Sequence, residues 1–177
     1  MNNTQDLNGE GLGAVPCSAS FLIQKLKEMH PQNTGWQFVE ELRVGTGFGG
    51  LREQRFDAWA IQAWQKNGLD NLRRSFEVKI CAADLRVELL NSDKRWFAHA
   101  YSHEFFFVSP AGLCDKRRLA KDEGLIEWDG EIMKIVKQAA RRDAMPPRWD
   151  FVASLVRTIY SQNDKLMHAI AEPLEGQ

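Results

Sequence analysis

The chain has 177 residues, 44% of them hydrophobic and 27% charged, with a formal net charge of −1. This is enough material for one globular core and excludes a disordered or fibrous class. The near-neutral balance argues against a surface that coats DNA or membrane along its whole extent, while leaving room for a local basic groove.

Residues 1–16 are rich in Asn, Gly and polar side chains and read as a mobile tail. They carry neither the basic nor the apolar region of a signal peptide. Residues 17–177 then read as a single domain, with no repeat, low-complexity tract or linker. Ser18 or Ser20 can cap a first helix with Phe21, Leu22, Leu26 and Met29 on one face, stopped by His30-Pro31. Trp36, Phe38 and Val39 begin a strand-like segment that runs on through Glu41-Leu42-Arg43-Val44. Gly45, Gly47, Gly49 and Gly50 crowd into a turn. A glycine-rich loop can cradle phosphate when a helix follows it. Here a strand-like run follows, so a hairpin loop fits better.

Arg55–Ala63 is apolar on both faces around a single acid, Asp57, as suits a central strand. A polar connection, 65–74, contains Asn67-Gly68. Phe76-Glu77-Val78-Lys79-Ile80 alternates strictly, so Phe76, Val78 and Ile80 share one face and Glu77 and Lys79 the other. Asp84 can cap a helix carrying Leu85, Leu89 and Leu90, and Asp93 the next, with Trp96, Phe97, Ala100 and Tyr101 inward. Phe105–Val108 is a buried strand, far too short to span a bilayer. Lys116-Arg117-Arg118 is a basic loop, and Asp129-Gly130 turns a hairpin between 125–128 and 132–136. A basic stretch with Arg141-Arg142 ends in Pro146-Pro147. A last helix then carries Phe151, Val152, Leu155, Val156 and Ile159. The expected class is α/β (α+β), a mixed sheet flanked by helices.

Cys17, Cys81 and Cys114 are odd in number and form no CxxC pair. A disulfide framework or zinc ribbon is not expected, and a reducing cytoplasm is the natural compartment. His99 and His103 are four apart, but no Glu follows His99 to make a zinc-protease motif, and core-edge histidines explain the spacing. Trp36, Trp59 and Trp96 read as core, and Trp128 and Trp149 as exposed.

Asp57, Glu77 and Lys79 each interrupt an apolar strand. A buried acid without a partner is costly, and a metal ion removes that cost. Two carboxylates with main-chain oxygen and water suit Mg²⁺. A nearby lysine can offset charge on a phosphorane. The alternative is a surface Glu–Lys pair of little energetic worth, with Asp57 an ordinary strand-end acid.

In Arg55-Phe56-Asp57, then Glu77-Val78-Lys79, then a helix with Asp84, the chain resembles the PD-(D/E)xK, or restriction-endonuclease-like, nuclease superfamily. Stretches at 93–96, Tyr101 and 105–113 look like small bacterial and phage members described as nucleases or DNA-repair proteins, so the resemblance covers residues 36–140. It implies an α-β-β-β-α-β core and a Mg²⁺-dependent deoxyribonuclease in repair, recombination, phage biology or defence, with Mn²⁺ able to substitute. Asp57 and Glu77 would be metal ligands, the Val78 carbonyl a third, and Lys79 the catalytic lysine. Glu41 would supply a further acid, with Glu40 the competitor. Phe56 stands where the motif has proline. Lys116, Arg117, Arg118, Arg141 and Arg142 would border the acidic site and hold phosphates. A catalytically inactive module of the same fold, binding DNA or a protein partner, is the alternative. A homodimer is compatible with either, and no membrane partner is expected.

Overall fold

The computed structural model describes residues 17–44, 54–64, 71–91 and 95–171, with side chains through residue 168. The tail at 1–16, the glycine turn at 45–50, Asn67-Gly68 and the Asp93 cap lie outside the described residues. Among the described residues the protein is a mixed α+β structure, with a six-stranded mixed sheet and four α-helices. The elements are α1 (Ala19–Glu28), β1 (Trp36–Glu40), β2 (Arg43–Val44), β3 (Gln54–Arg55), β4 (Ala58–Gln62), β5 (Arg73–Val78), α2 (Ala82–Leu90), α3 (Trp96–Tyr101), β6 (Glu104–Pro110), β7 (Glu123–Trp128), β8 (Met133–Lys137) and α4 (Trp149–Ala171).

The sheet order is β1-β4-β5-β6-β7-β8. β1, β4 and β5 are antiparallel neighbours, β5, β6 and β7 run parallel, and β8 returns antiparallel. The parallel join of β5 to β6 requires a crossover, which α2 and α3 supply. Alternation along the strands splits the core in two. Ala58, Ala60, Phe76, Val78, Phe106, Val108 and Ile126 pack with Leu22 and Leu26 of α1. On the other face Trp59 packs with Tyr101 and Phe151, while Phe105, Phe107 and Leu125 pack with Leu85, Cys114 and Leu119. Both faces are covered, so β6 is buried along almost its whole length.

Ser18 caps α1 through its hydroxyl, which accepts from the Phe21 N–H. His30 closes the far end, its Nδ1 2.8 Å from the Leu26 carbonyl. Gly124 faces Phe106 across the β6–β7 ladder, and a Cβ there would lie 2.3 Å from the Phe106 ring. Only glycine lets that ring lie against Phe76, centroids 6.1 Å apart.

Several local expectations change. The run from Trp36 to Val44 is not one strand, because Glu41 adopts a left-handed φ of 48°. Residues 55–63 break likewise at Phe56-Asp57. Both breaks lie at one point of a single hairpin. Glu40 opposes Ala58 and Arg43 opposes Arg55, so the register is the same on either side. Finally, β5 ends at Val78, leaving Ile80 exposed, and Trp96 and Leu90 face solvent rather than the core. Trp128 is half-buried against Phe21, whereas Trp149 is exposed.

Candidate active site

The hairpin kink places Asp57. Glu41 N–H donates to the Asp57 carbonyl and Phe56 N–H to the Leu42 carbonyl, both at 2.9 Å. Hydrogen bonding therefore continues through the kink while the strand path bends. On the other side Ala58 opposes Phe76, so extending that register by one residue sets Asp57 opposite Glu77. Directly opposed residues share a face. Bending away at Asp57 leaves the Val78 N–H without a main-chain acceptor from β4, and the Asp57 carboxylate takes that role, Oδ2 2.9 Å from the nitrogen. The next N–H, of Lys79, turns the other way and donates to the Val108 carbonyl of β6.

Glu77 and Lys79 lie on the α2 side of the sheet. Lys79 Nζ is 2.5 Å from Glu77 Oε1 and 3.7 Å from Glu88 Oε2 on α2. Burial and the charge of Asp57 push the Glu77 carboxyl up to about 7, against the pull of Lys79, with Glu88 adding to the rise. Burial disfavours the Lys79 ammonium, but Glu77, Glu88 and Asp57 outweigh it and hold its pKa above the ordinary value.

Glu88 and the groups behind it are what the sequence reading missed. Arg95 reaches the Glu88 carbonyl and lies 3.6 Å from its carboxylate, while its Nε pairs at 2.9 Å with the fully buried Glu123. Arg95 also lies over the Phe107 ring. Glu88 sits three residues after the buried Leu85, which is a core-facing helical position. An acid there is the signal that could have found it. Asp84, expected to cap this helix, instead sits exposed in the first turn of α2, with Cys81 at the N-cap.

The other expected residues are scattered. Register sets Glu41 opposite Asp57, but its left-handed backbone leaves its carboxylate 3.0 Å from Arg55 on the surface. Glu40 pairs with Lys27 at 2.9 Å. Thus neither acid is seen joined to the Asp57–Glu77 pair. Lys116, Arg117 and Arg118 form an exposed turn in the β6–β7 crossover on the α2 side of the sheet, with Arg117 tied to Asp115. Arg142 does not border the pair. Its N–H donates to His103, next to the start of β6, and its guanidinium holds Asp122, just before β7. That is the opposite end of the parallel strands from Val78. His99 and His103 do not form a pair either, because α3 ends at Tyr101 and His103 Nδ1 accepts from the Arg73 N–H.

A pocket of about 400 Å³ lies between Trp59, Ile61, Arg73, Pro146, Phe151 and Leu155, and none of Asp57, Glu77 and Lys79 lines it. The acidic pair is instead a small polar site. Among the described residues, no group of three or more His, Cys, Asp or Glu side chains is placed to hold an ion. The donor set of Asp57 and Glu77 still suits a hard divalent cation. Burial, together with the Asp57 charge, raises the Glu77 pKa, and added positive charge would relieve both the burial cost of the carboxylate and the repulsion.

No protein-family model matches the chain, and no curated protein matches it. The structure is similar to that of the SPO1766 protein of unknown function from Silicibacter pomeroyi. That likeness has a TM-score of 0.57 at 17% identity, over 92% of this chain and 97% of the other. It is a likeness of fold alone. Among the described residues no helix is long and apolar enough to cross a membrane.

Proposed function

We propose that this protein is a divalent-metal-dependent nuclease that hydrolyses phosphodiester bonds, in DNA above all, with its site at Asp57, Glu77 and Lys79. The observation that carries the reading is the approach of Asp57, at the bend just before β4, to Glu77 on the neighbouring β5, with Lys79 paired to Glu77 and Glu77 raised to about 7. The element order supports it too: a helix, an antiparallel β1-β4-β5 unit, helices, then β6 parallel to β5. This agrees with the α-β-β-β-α-β core of the restriction-endonuclease-like fold.

Asp57 and Glu77 would hold the ion, joined by the Val78 carbonyl. A bound Mg²⁺ or Mn²⁺ would polarise a phosphoryl oxygen and make water more acidic at the site. Lys79 stays protonated at neutral pH because three acids surround it. It therefore acts as a hydrogen-bond donor that orients water and offsets charge developing on the phosphate, rather than as a proton acceptor. Glu88 holds the ammonium from the helix side.

A second reading has its own observation. Lys79 pairs with Glu77 and approaches Glu88, so its ammonium offsets part of the acidic charge without an ion. In that case the fold would bind nucleic acid or a protein without cutting. The deciding experiment is cleavage of linear, nicked, branched and single-stranded DNA with Mg²⁺ or Mn²⁺, alongside calorimetry of metal binding. Metal-dependent cleavage is expected. Salt-dependent DNA binding with no cleavage in either metal would replace the nuclease reading with the second one.

A further inference from the structure

Glu88 reaches from α2 into the cluster beside Lys79, and its carboxylate is left short of donors. The side chain is only 12% exposed. Oε2 lies 3.7 Å from Lys79 Nζ and Oε1 3.6 Å from Arg95 Nη1, both too long for a hydrogen bond. Among the described residues neither oxygen accepts one. Arg95 does not make up the shortfall. Its Nε pairs at 2.9 Å with Glu123, its Nη1 donates to the Glu88 main-chain carbonyl, and its guanidinium lies over Phe107. A carboxylate buried this far has lost water without gaining a bond in return.

Lys79 is placed to supply that bond, but its ammonium sits 2.5 Å from Glu77 Oε1 instead. Closing the 3.7 Å gap to a charge-assisted bond of about 2.8 Å needs a shift of about 1 Å at the tip of a flexible side chain. The charges point the same way. Asp57, Glu77, Glu88 and Glu123 stand against Lys79 and Arg95. With these acids ionised and His99 neutral, the cluster carries two negative charges in excess, the charge of one divalent cation. A divalent cation on Asp57 and Glu77 meets the Lys79 ammonium at close range, where like charges repel. Glu88 offers the ammonium a second anionic partner on α2, outside the Asp57–Glu77 pair.

We propose that Glu88 is a positioning residue for Lys79, its carboxylate receiving the ammonium when a divalent cation takes Glu77, so that the lysine and the cation no longer compete for one carboxylate. This rests on the proposed cation site at Asp57 and Glu77, not on phosphodiester cleavage.

The test is calorimetry of Mn²⁺ binding to the full chain, with thermal melts to verify that each variant is folded. Glu88→Gln removes the second seat and should weaken Mn²⁺ binding at least about tenfold, whereas Lys79→Met removes the competitor and should tighten it. In the Lys79→Met background Glu88→Gln should cost less than about threefold, because Glu88 acts through the lysine. Glu88→Asp keeps the charge but withdraws it by one methylene. It should also weaken binding, and it carries the same comparison should the neutral variant not fold. A loss as large without Lys79 as with it would make Glu88 a plain attracting charge and overturn the proposal. Variants at Glu88 that bind Mn²⁺ as tightly as wild type would overturn it too, leaving the cation site standing. A wild type that binds neither Mn²⁺ nor Mg²⁺ would remove the cation site itself, and the proposal with it.

Discussion

Glu77 carries opposing demands: burial and the charge of Asp57 favour its protonated form, and Lys79 favours the charged one. With its pKa at about 7 rather than 4.5, the folded state binds this proton more tightly than the unfolded chain. Its contribution to stability therefore falls as pH rises from 4.5 through 7, and the loss is complete above that. His30 and His99, both lowered to about 4 chiefly by burial, act in the opposite sense and cost stability as pH falls below 6.5. The difference in Tm between wild type and Glu77→Gln isolates the carboxyl. It should widen in favour of the variant between pH 5 and about 7, and Mg²⁺ should narrow it for wild type. A pH-independent difference would mean that Glu77 keeps an ordinary pKa. In the proposed chemistry Lys79→Ala should cost about a hundred- to a thousandfold in cleavage rate, the usual loss for one group that stabilises transition-state charge. Asp57→Asn should keep the bond from the Val78 N–H through its amide oxygen, lose metal affinity and bind DNA as well or better. Equal cleavage by wild type and Lys79→Ala would move the chemistry elsewhere.

Among the elements, the kinked hairpin matters most to the site. A straight strand from 55 to 63 would pair Asp57 into the ladder. The bend instead frees its carboxylate to accept from Val78 and to confront Glu77. Neither the left-handed Glu41 nor the break at Asp57 has a glycine or proline to announce it, which is why each segment reads as unbroken. The opposing face of the sheet holds β5 in place through the stack of Phe76 on Phe106, and that stack depends on Gly124. Gly124→Ala should destabilise the fold by about 1–3 kcal/mol, the usual cost of overpacking, because its Cβ meets both the Phe106 ring and the Ala139 main chain. Chemical denaturation measures this. A neutral result would show that β6 and β7 can part without loss.

On the scale of the whole molecule, charge is sorted between the surface and internal links. Lys116 and Arg118 sit exposed on the crossover, whereas Arg142 spans the segments before β6 and β7. Replacing Lys116 and Arg118 by alanine should weaken DNA binding and flatten its dependence on salt. Arg142→Ala should instead lower stability by about 1 kcal/mol, as befits a partly exposed ion pair, and leave DNA affinity unchanged. Filter binding over a salt series beside thermal melts separates the two. Affinity falling with Arg142→Ala alone would reverse the assignment. The sequence by itself determined the mixed class, the α1 helix and its stop, the buried run at 105–108, the Asp129-Gly130 hairpin and the shared face of Glu77 and Lys79. All of these follow from local periodicity and turn chemistry, which neighbouring residues carry. Tertiary structure alone decided that Asp57 opposes Glu77, that Glu41 turns away to Arg55, that Glu88 and Arg95 close the cluster, and that Arg142 lies at the far end. Each of these depends on which strands pair, in which register and where a strand bends, and single-sequence spacing does not encode distances between residues so far apart along the chain.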